Sequence, residues 1–579
     1  MTATVEQAFP DAGSDGGGRL SGLRTSTRAR STSSRVALGA FVLVLAYLVL
    51  VPLFKLQQLA VADDFRGYRV AFGDGRIWET VRTTVYLAVG SLAIAMVLGT
   101  GLAFAASRLP VRWRGLRSLP VLPIVVPGIA SVTGWIFLLS PRPGYLNAAL
   151  RNLPWWNHLE QGPVDVYSLP WIILITGFGL TSFVYLFVSS GLSGISSEHV
   201  EAAEVAGSSS IGVFFRVILP LLRPALVYGA GIALLLGLGQ FAPPLLLGTN
   251  TGISVLTTDM YAATSQSPVD YGAAAAIGSP LLVFGLLVVI GQKAFLGDQA
   301  RFVTHGGKGF QARRRSSPLS VLAIVLYCLV ATVLPITGLL LVALSPFWSG
   351  TLDPGTFSLD SFRTVFGQSD IVTAILTSLT ASLLAVLIVV PIGFVCASVL
   401  LRGQRFRILR QVLDYLVAVP LGIPAVVFGA GFLLTYSAPP FILYGTKSVI
   451  VLVYVTIMLP FATRMLLTGM TALGSGYIEA SRVSGAGLLG TNLRILAPLL
   501  RSTAAGAVAL IFVLLAQEFG ASLLVRSSTT QVMGTVLFDY YTNGAYPTVA
   551  AVALIMTAVT AAGVVVALVL GGRNALDKL

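Results

Sequence analysis

Long apolar runs separated by short polar segments cover the chain from residue 35 onward. The first run begins at Arg35 and continues for about twenty residues, which is enough to cross a bilayer as a helix. Further runs lie near 82–107, 117–139, 168–190, 224–247, 272–295, 318–345, 373–401, 411–436, 447–470, 502–525 and 547–571. The pattern predicts an all-α membrane protein with about twelve transmembrane helices in two sets of six.

The polar segments define the predicted domain organisation. Residues 1–34 are rich in Gly, Ser, Thr and Arg, which predicts a disordered cytoplasmic tail. The first half then covers 35–295, and the second half covers 318–571. A basic cytoplasmic linker, 296–317, joins the halves, and 572–579 form a C-terminal tail.

The first apolar run has a second interpretation. Ala60-Val61-Ala62 resembles a signal-peptidase site, so the run would also suit a cleaved signal peptide. However, the run is longer than an ordinary signal-peptide core, and the leader before it is unusually extended. These two features favour an uncleaved first span.

Composition agrees with a membrane protein and narrows the chemistry. Hydrophobic residues make up 55% of the chain and charged residues 10%, whereas soluble domains carry about 25% charged residues. Cys328 and Cys396 both lie inside apolar runs, which excludes a disulfide framework and a thiolate zinc site. His158, His199 and His305 are scattered through polar loops without the spacing of metal ligands. The sequence therefore predicts no metal site and no cofactor.

The formal net charge of +14 is distributed unevenly among the polar segments. If the N-terminal tail is cytoplasmic and successive segments alternate sides, most of the 37 Lys and Arg residues fall on the cytoplasmic side. The opposite orientation would invert this distribution. We interpret the basic charge as a topology signal with both termini cytoplasmic, and nucleic acid is not a predicted partner.

A moderately polar segment that follows the fourth run of each half occurs twice. Each copy contains a Glu, a Gly and a Pro at the same spacings, at Glu201, Gly207 and Pro220 and at Glu479, Gly485 and Pro498. The pair Pro123 and Pro127 in the first half likewise matches Pro420 and Pro424 in the second. A duplication on this scale indicates two homologous six-helix halves.

Local physical chemistry predicts a short helix–turn–helix on the membrane surface in each copy. Ala202 and Ala203 keep one helical face small, so that a helix of another protein can approach closely. Gly207 can end the first helix in a left-handed conformation, and Pro220 can terminate or redirect the second helix. The alternative is an amphipathic loop that merely links two spans.

The repeated pattern E-A-A-x3-G-x9-I-x-L-P resembles the cytoplasmic signature of binding-protein-dependent (type I) ABC importer permeases. The matching residues are Glu201, Ala202, Ala203, Gly207, Leu219 and Pro220 in the first copy and Glu479, Ala480, Gly485, Ile495 and Pro498 in the second. The first copy departs from the pattern with Val217 in place of isoleucine. The second copy departs from it with Ser481 and Ala497 in place of alanine and leucine.

This resemblance implies a MetI-like permease fold in the plasma (inner) membrane of a bacterium, surrounded by lipid. It also implies that each motif docks a separate ABC ATPase subunit, with Glu201 and Glu479 each pairing with a basic residue there. Two motifs imply two ATPase copies, and an extracytoplasmic solute-binding protein would deliver the substrate. The chain lacks the phosphate-binding pattern G-x4-G-K-[ST], so the permease itself is not expected to be an enzyme.

Two other classes of membrane protein compete with this interpretation. An ion-coupled secondary transporter also has twelve spans in two halves. It would need several carboxylates within the membrane, and Glu518 is the one clear candidate. A non-transporting scaffold would explain neither the duplication nor the matched prolines.

The substrate is indicated by looser similarities. Fusion of two permease halves in one chain is similar to ferric-iron importers and also to thiamine importers. The stretch 255–276 resembles the loop before the last span of the first half in iron(III)-type permeases, and the stretch beginning at Val532 is its counterpart. Ferric iron is the favoured substrate, while thiamine, polyamines and phosphonates stay open.

Gln240-Phe241 and Glu518-Phe519 occupy matching positions in the fifth run of each half. A carboxylate at the bilayer centre costs about 2.5–3.5 kcal/mol on insertion scales and usually faces a partner or a water-filled cavity. The pseudo-twofold relation would bring the two fifth spans together at the centre, where the resemblance places the pathway. Gln240 and Glu518 are therefore predicted to line the translocation path or its gate. The alternative, strongest for Gln240, is a hydrogen bond across the bundle.

Overall fold

The computed structural model of the protein describes residues 19–73, 75–195, 197–296, 318–402, 407–474 and 476–571. Most of these residues are helical, in agreement with the predicted all-α fold class. Extended pairing among them consists of an isolated bridge between Ser527 and Thr530.

The helices of the described residues fall into two successive sets. Those of the first half are α1 Arg19–Gly73, α2 Arg76–Ser107, α3 Gly128–Leu139, α4 Tyr145–Arg151, α5 Leu169–Ser193, α6 Ser197–Val205, α7 Ser210–Val213, α8 Leu219–Leu221, α9 Arg223–Leu238, α10 Leu256–Ser265 and α11 Tyr271–Leu296. Those of the second half are α12 Pro318–Cys328, α13 Leu334–Leu344, α14 Asp360–Gly367, α15 Ser369–Arg402, α16 Arg407–Ala418, α17 Ala425–Tyr436, α18 Lys447–Leu473, α19 Gly476–Val483, α20 Leu488–Thr491, α21 Ala497–Leu499, α22 Arg501–Ala516, α23 Gly520–Val525, α24 Met533–Thr542 and α25 Tyr546–Gly571. Short 3-10 segments are Val111–Val125, Thr249–Thr251, Pro354–Thr356 and Val419–Leu421, and π-helical segments are Phe214–Ile218, Pro244–Gly248, Leu329–Val333 and Asn492–Leu496.

In the described part of the chain, 8 helices are long and apolar enough to cross a membrane, and the number rises to 12 if each bent pair is one span. The bent pairs are the third and fifth spans of each half. They are Gly115–Val125 with Gly128–Leu139 (89°), Phe214–Leu221 with Arg223–Leu238 (63°), Arg407–Leu421 with Ala425–Tyr436 (107°) and Asn492–Leu499 with Arg501–Ala516 (69°). The upper number agrees with the predicted two sets of six.

Matched prolines lie at the breaks of the third spans. In the first half the break precedes Pro127, because a residue before proline avoids the α-helical region. The carbonyl oxygen of Ile124 accepts a hydrogen bond from Gln517 Nε2 at 3.1 Å, and that of Val125 accepts one from Thr560 Oγ1 at 2.6 Å. Both donors belong to the second half, so the bundle satisfies backbone groups that the broken helix leaves unpaired.

The fifth spans differ from the sequence prediction. The apolar runs predict continuous helices over 224–247 and 502–525, but α9 ends two residues before Gln240 and α22 ends two residues before Glu518. Both polar residues therefore lie in helix breaks and not inside apolar helices. In the first half the prolines that follow Gln240 cannot donate backbone hydrogen bonds to a preceding turn. In the second half the Glu518 side chain bonds the next backbone N–H groups, which starts a new helix there.

The N-terminal segment also differs from the prediction. Helix α1 begins at Arg19, so 19–34 are helical rather than disordered, while 1–18 lie outside the described residues. No proline occurs between Arg19 and Pro52, so the helix of the first span can continue toward the N-terminus. The C-terminal tail and almost all of the linker also lie outside the described residues, and their boundaries stay predictions.

Helix α1 is interrupted in its C-terminal part. Ala62 is extended, and Asp63, Asp64 and Phe65 have left-handed φ angles of 51°, 59° and 61°. Before this interruption the helix is packed into the bundle, where Leu56 is fully buried. This packing supports the interpretation of the run as an uncleaved first span.

The two halves are interlocked because each packs its first span on the third span of the other. Helix α1 packs on α17, and α13 packs on α3. A Cβ on Gly431 would meet the carbonyl oxygen of Pro52 at 2.7 Å, and one on Gly134 would overlap that of Pro335. The largest cluster of buried apolar side chains accordingly contains residues of both halves.

Candidate functional site

Each repeated motif folds as a helix, a glycine turn and a second helical segment. We call these segments the first repeat loop, residues 197–221, and the second repeat loop, residues 476–499. In the first, Gly207 follows α6 with a φ of 83°, and the N–H of Ser208 donates to the carbonyl oxygen of Ala203 at 3.0 Å. This geometry is that of a glycine C-cap, which satisfies carbonyl groups at the end of a helix.

The second repeat loop has the same turn. Gly485 has a φ of 79°, and the N–H of Ala486 donates to the carbonyl oxygen of Ser481 at 3.0 Å. A Cβ at Gly207 or Gly485 would have no neighbour within 4 Å. Glycine is therefore needed at these positions for the backbone conformation and not for space.

The helices before the two turns, α6 and α19, present matching exposed faces. The exposed residues at matched positions are Glu201, Ala202, Glu479 and Ala480. Val205 and Val483, also matched, are 89% and 90% exposed. On the opposite side of α19, the Ser481 hydroxyl is buried and lies 2.7 Å from Thr491 Oγ1, while the matching Ala203 is half-buried against apolar side chains.

Pro220 and Pro498 stand close to the point where each repeat loop turns into the fifth span. The segment Phe214–Leu221 meets α9 at 63°, and Asn492–Leu499 meets α22 at 69°. Each bend lies two residues after the proline, which itself stands in the first turn of α8 or α21.

A cavity of about 360 Å³ lies between the two halves, beside the helix breaks at Gln240 and Glu518. We call these two breaks the fifth-span breaks. The cavity walls come from the third and fourth spans of the first half and from the C-terminal ends of α9 and α22. Gln240, Gln517 and Glu518 contribute polar groups to it, together with Ser131 and Thr176. The Thr176 hydroxyl is buried and has no hydrogen-bond partner in the structure.

Glu518 is bonded within its own chain segment. Its carboxylate accepts hydrogen bonds from the N–H of Ala521 at 2.7 Å, from the N–H of Ser522 at 3.0 Å and from the Ser522 hydroxyl. The Ser522 hydroxyl also lies 2.9 Å from the hydroxyl of Tyr454. The expectation that a carboxylate at this depth needs partners is thus met by neighbouring backbone and hydroxyl groups.

Next to Gln240 and Glu518, four aromatic side chains form a cluster. The rings of Phe241 and Phe519 are stacked with centroids 5.4 Å apart and an interplanar angle of 27°. Tyr261 from α10 lies 5.7 Å from Phe241, Phe538 from α24 lies 5.8 Å from Phe519, and Tyr261 and Phe538 are 6.3 Å apart. We call these four residues the aromatic cluster; it brings the two fifth spans together.

Sequence reasoning identified part of this centre. The matched dipeptides pointed to the residues beside the cavity, but Gln517, Thr176 and the aromatic partners from α10 and α24 were missed. Tyr261 and Phe538 had a usable signal, because both are aromatic and stand in the paired stretches before the last spans.

The described residues contain no group of three His, Cys, Asp or Glu side chains that could hold a metal ion. Cys328 and Cys396 are free and buried, and His305 lies outside the described residues. The cavity thus offers amide, hydroxyl and carboxylate groups without a cluster of metal ligands.

Two segments of the chain, 83–297 and 389–574, match the family model described as "binding-protein-dependent transport system inner membrane component". Together they cover more than half of the chain, with one segment in each half. The protein belongs to this family, the permeases of ABC importers, which are multi-pass membrane proteins that work with an ATPase and a solute-binding protein. The match favours this class over an ion-coupled secondary transporter or a scaffold.

Curated relatives agree with the two-half organisation. The chain is 25% identical to a ferric transport system permease protein of Actinobacillus pleuropneumoniae, over 82% of this chain and 68% of the relative. It is 24% identical to a probable ABC transporter permease protein of Sinorhizobium fredii, over 91% of this chain and 92% of the relative. A sulfoquinovosyl glycerol transport system permease protein of Agrobacterium fabrum is 30% identical over 37% of this chain and 70% of the relative.

Proposed function

We propose that this permease carries ferric iron, which a solute-binding protein delivers and separate ATPase subunits drive across the membrane. The assignment of ferric iron rests on the similarity to a ferric transport system permease, which extends over both halves. A permease need not hold a dedicated metal site for this role, because affinity can reside in the binding protein. Thiamine, polyamines and phosphonates are the alternative substrates.

The two repeat loops are proposed to dock two copies of one ATPase subunit. Their turns have the same geometry, and Ala202 and Ala480 leave room for another helix beside the exposed Val205 and Val483. Glu201 and Glu479 are exposed on these faces, where each would pair with a basic residue of the ATPase. ATP hydrolysis then takes place on the partner subunits, and this chain acts as a non-enzymatic permease.

The translocation path is proposed to run through the cavity between the halves. Gln240 and Glu518 line the path or its gate from matching positions. A wall of mixed amide, hydroxyl and apolar groups offers weak contacts, which a solute can enter and leave.

The proposed orientation has both termini and both repeat loops in the cytoplasm. Single cysteines at Ser208 and Gly487 should be protected from membrane-impermeant thiol reagents in intact cells, whereas one at Asn250 should react. Labelling of the first two positions from outside would contradict the orientation and the docking proposal together.

Reconstituted uptake tests the substrate. The complex of permease, ATPase and solute-binding protein in proteoliposomes should accumulate radiolabelled ferric iron when ATP is supplied to the ATPase side. Ionophores should leave the rate unchanged, and omission of either partner should abolish it. Uptake of thiamine, a polyamine or a phosphonate in place of iron, or a different ligand on the copurified binding protein, would overturn the assignment of iron.

A further inference from the structure

The break in the second half's fifth span starts a short helix whose first backbone N–H groups need acceptors. Within a membrane, an unpaired N–H group is costly because no water reaches it. Glu518 supplies the acceptors, since its two oxygens bond the N–H groups of Ala521 and Ser522 and the Ser522 hydroxyl. A negative charge at this end of α23 is also favoured by the helix dipole.

In the first half, the helical segment after the break needs no carboxylate to accept hydrogen bonds at these two positions. Pro243 and Pro244 stand three and four residues after Gln240, as Ala521 and Ser522 stand after Glu518. Proline has no N–H group, so nothing at these two positions requires an acceptor. Its fixed φ also suits the first turn of a helix, and Pro243 has helical angles of −62° and −48°. The difference between Gln240 and Glu518 therefore follows the difference between proline and N–H-bearing residues.

The residue held in place by this arrangement is Phe519, which lies between Glu518 and α23. Its ring stacks on Phe241, and both phenylalanines are almost fully buried, at 6% and 5% exposure. Their neighbours Glu518 and Gln240 line the cavity. The aromatic cluster therefore lies directly beside residues that line the cavity, and it includes side chains from α10 and α24, the helices before the last spans.

We infer that Glu518 is a positioning residue: by capping α23 it holds Phe519 in the aromatic cluster, which closes the cavity toward the side that the proposed orientation makes external. Pro243 and Pro244 do the same for Phe241 in the first half. This inference rests on the proposed function in taking the cavity as part of the path. It assigns Glu518 to closure of the path and not to contact with the substrate.

The test measures how fast a cysteine in the cavity reacts with an impermeant thiol reagent added outside. Ser131 lines the cavity, so Ser131→Cys is the reporter, in a background with Cys328→Ala and Cys396→Ala and in the full complex without nucleotide. Labelling should be slow in this parent and faster in Glu518→Gln by a factor between about two and ten, because the amide keeps only one of the two acceptor oxygens that cap α23. Phe519→Ala should accelerate labelling at least as much. A cysteine at Asn250 should react equally in all variants.

Prolines at positions 521 and 522, which match Pro243 and Pro244 of the first half, distinguish a positioning role of Glu518 from contact with the substrate. The variant Glu518→Gln with Ala521→Pro and Ser522→Pro lacks the two N–H groups of α23 that the Glu518 oxygens bond, so its labelling rate and its uptake should return toward the parent values. If this triple variant does not reach the membrane, Ser522→Ala decides, because losing one donor to Glu518 should give a labelling rate between those of the parent and Glu518→Gln.

Three results would overturn the inference. They are an unchanged labelling rate in Glu518→Gln, loss of uptake in the triple variant despite slow labelling, and an unchanged rate in Ser522→Ala. The proposed substrate stands apart from this test. Failure of iron uptake with the expected labelling pattern would remove the substrate and leave the positioning role intact.

Discussion

The two repeat loops and the two fifth-span breaks are both products of the same duplication, yet they have diverged to different extents. At the loops, the turn glycines have φ angles of 83° and 79° and the same pattern of backbone hydrogen bonds. At the breaks the two halves differ. Gln240 is followed by Pro243 and Pro244, whereas Glu518 is followed by Ala521 and Ser522, whose N–H groups it bonds. The shared loop geometry agrees with the proposed docking of two copies of one partner, whereas the proposed path between the halves need not be symmetric.

A second contrast lies where the last span of each half meets the third span of the other. Thr560 donates a hydrogen bond to the carbonyl oxygen of Val125 at 2.6 Å. On the other side, Gly285 lies so close to Gly422 that a Cβ would overlap the carbonyl oxygen of that residue. One contact is made by a side chain and the other by backbone packing, so they should respond very differently to substitution.

The largest effect is expected from the turn glycines. Gly207→Val or Gly485→Val forces a β-branched residue into a left-handed conformation, at a cost of about 1–2 kcal/mol or more. Either change should distort the ATPase contact and lower reconstituted transport by about tenfold or more. Gly487→Val is the matched control, because that exposed glycine also has open space around it but no positive φ. Equal transport in Gly485→Val and Gly487→Val would refute the role of the turn.

The next largest effect is expected on stability, where substitutions at Gly285 and Thr560 should differ. Gly285→Ala inserts a methyl group into backbone and should destabilise the purified chain by about 1–3 kcal/mol. Thr560→Val removes one hydrogen bond inside the membrane, worth about 0.6 kcal/mol. Thermal unfolding in one detergent measures both, with Gly291→Ala in open space on the same helix as control. A larger loss in Thr560→Val than in Gly285→Ala would reverse the contrast.

Charge reversal in the repeat loops should have the smallest effect. Glu201→Lys or Glu479→Lys replaces an exposed pairing that is worth about 0.2–1 kcal/mol, so ATPase affinity should fall about two- to fivefold. The loss should shrink as salt is raised. Glu204→Arg is the control, since the second repeat loop already has Arg482 at that position. Unchanged affinity in both reversals would show that the carboxylates are not docking contacts.

Much of this arrangement could be predicted from the sequence because it depends on local residue chemistry. Apolar runs long enough for a bilayer predicted the spans, and the matched prolines helped to identify the two halves as repeats. The turns could be predicted because Gly207 and Gly485 recur with the same spacing from Glu201 and Glu479. Each of these features depends on residues that are close together in the chain.

The remainder depends on competition between local and tertiary interactions. The run 502–525 contains no proline, so its hydrophobicity predicts a continuous helix, and the break arises because Glu518 bonds the N–H groups that follow it. Tyr261 and Phe538 belong to the aromatic cluster because α10 and α24 pack their rings against Phe241 and Phe519. The hydrophobic pattern predicts neither the helix break at Glu518 nor the packing of Tyr261 and Phe538.

Cross-linking to the ATPase tests most directly whether the two repeat loops dock two copies of one partner. Single cysteines at the exposed Val205 and Val483, in a chain without its two native cysteines, are cross-linked to an ATPase that carries cysteines on the surface proposed to meet the repeat loops. Each single variant should form an adduct with one ATPase subunit, and the double variant should carry two, while a cysteine at Trp155 should form none. A double variant that never carries more than one ATPase subunit, or adducts from Trp155, would contradict the account.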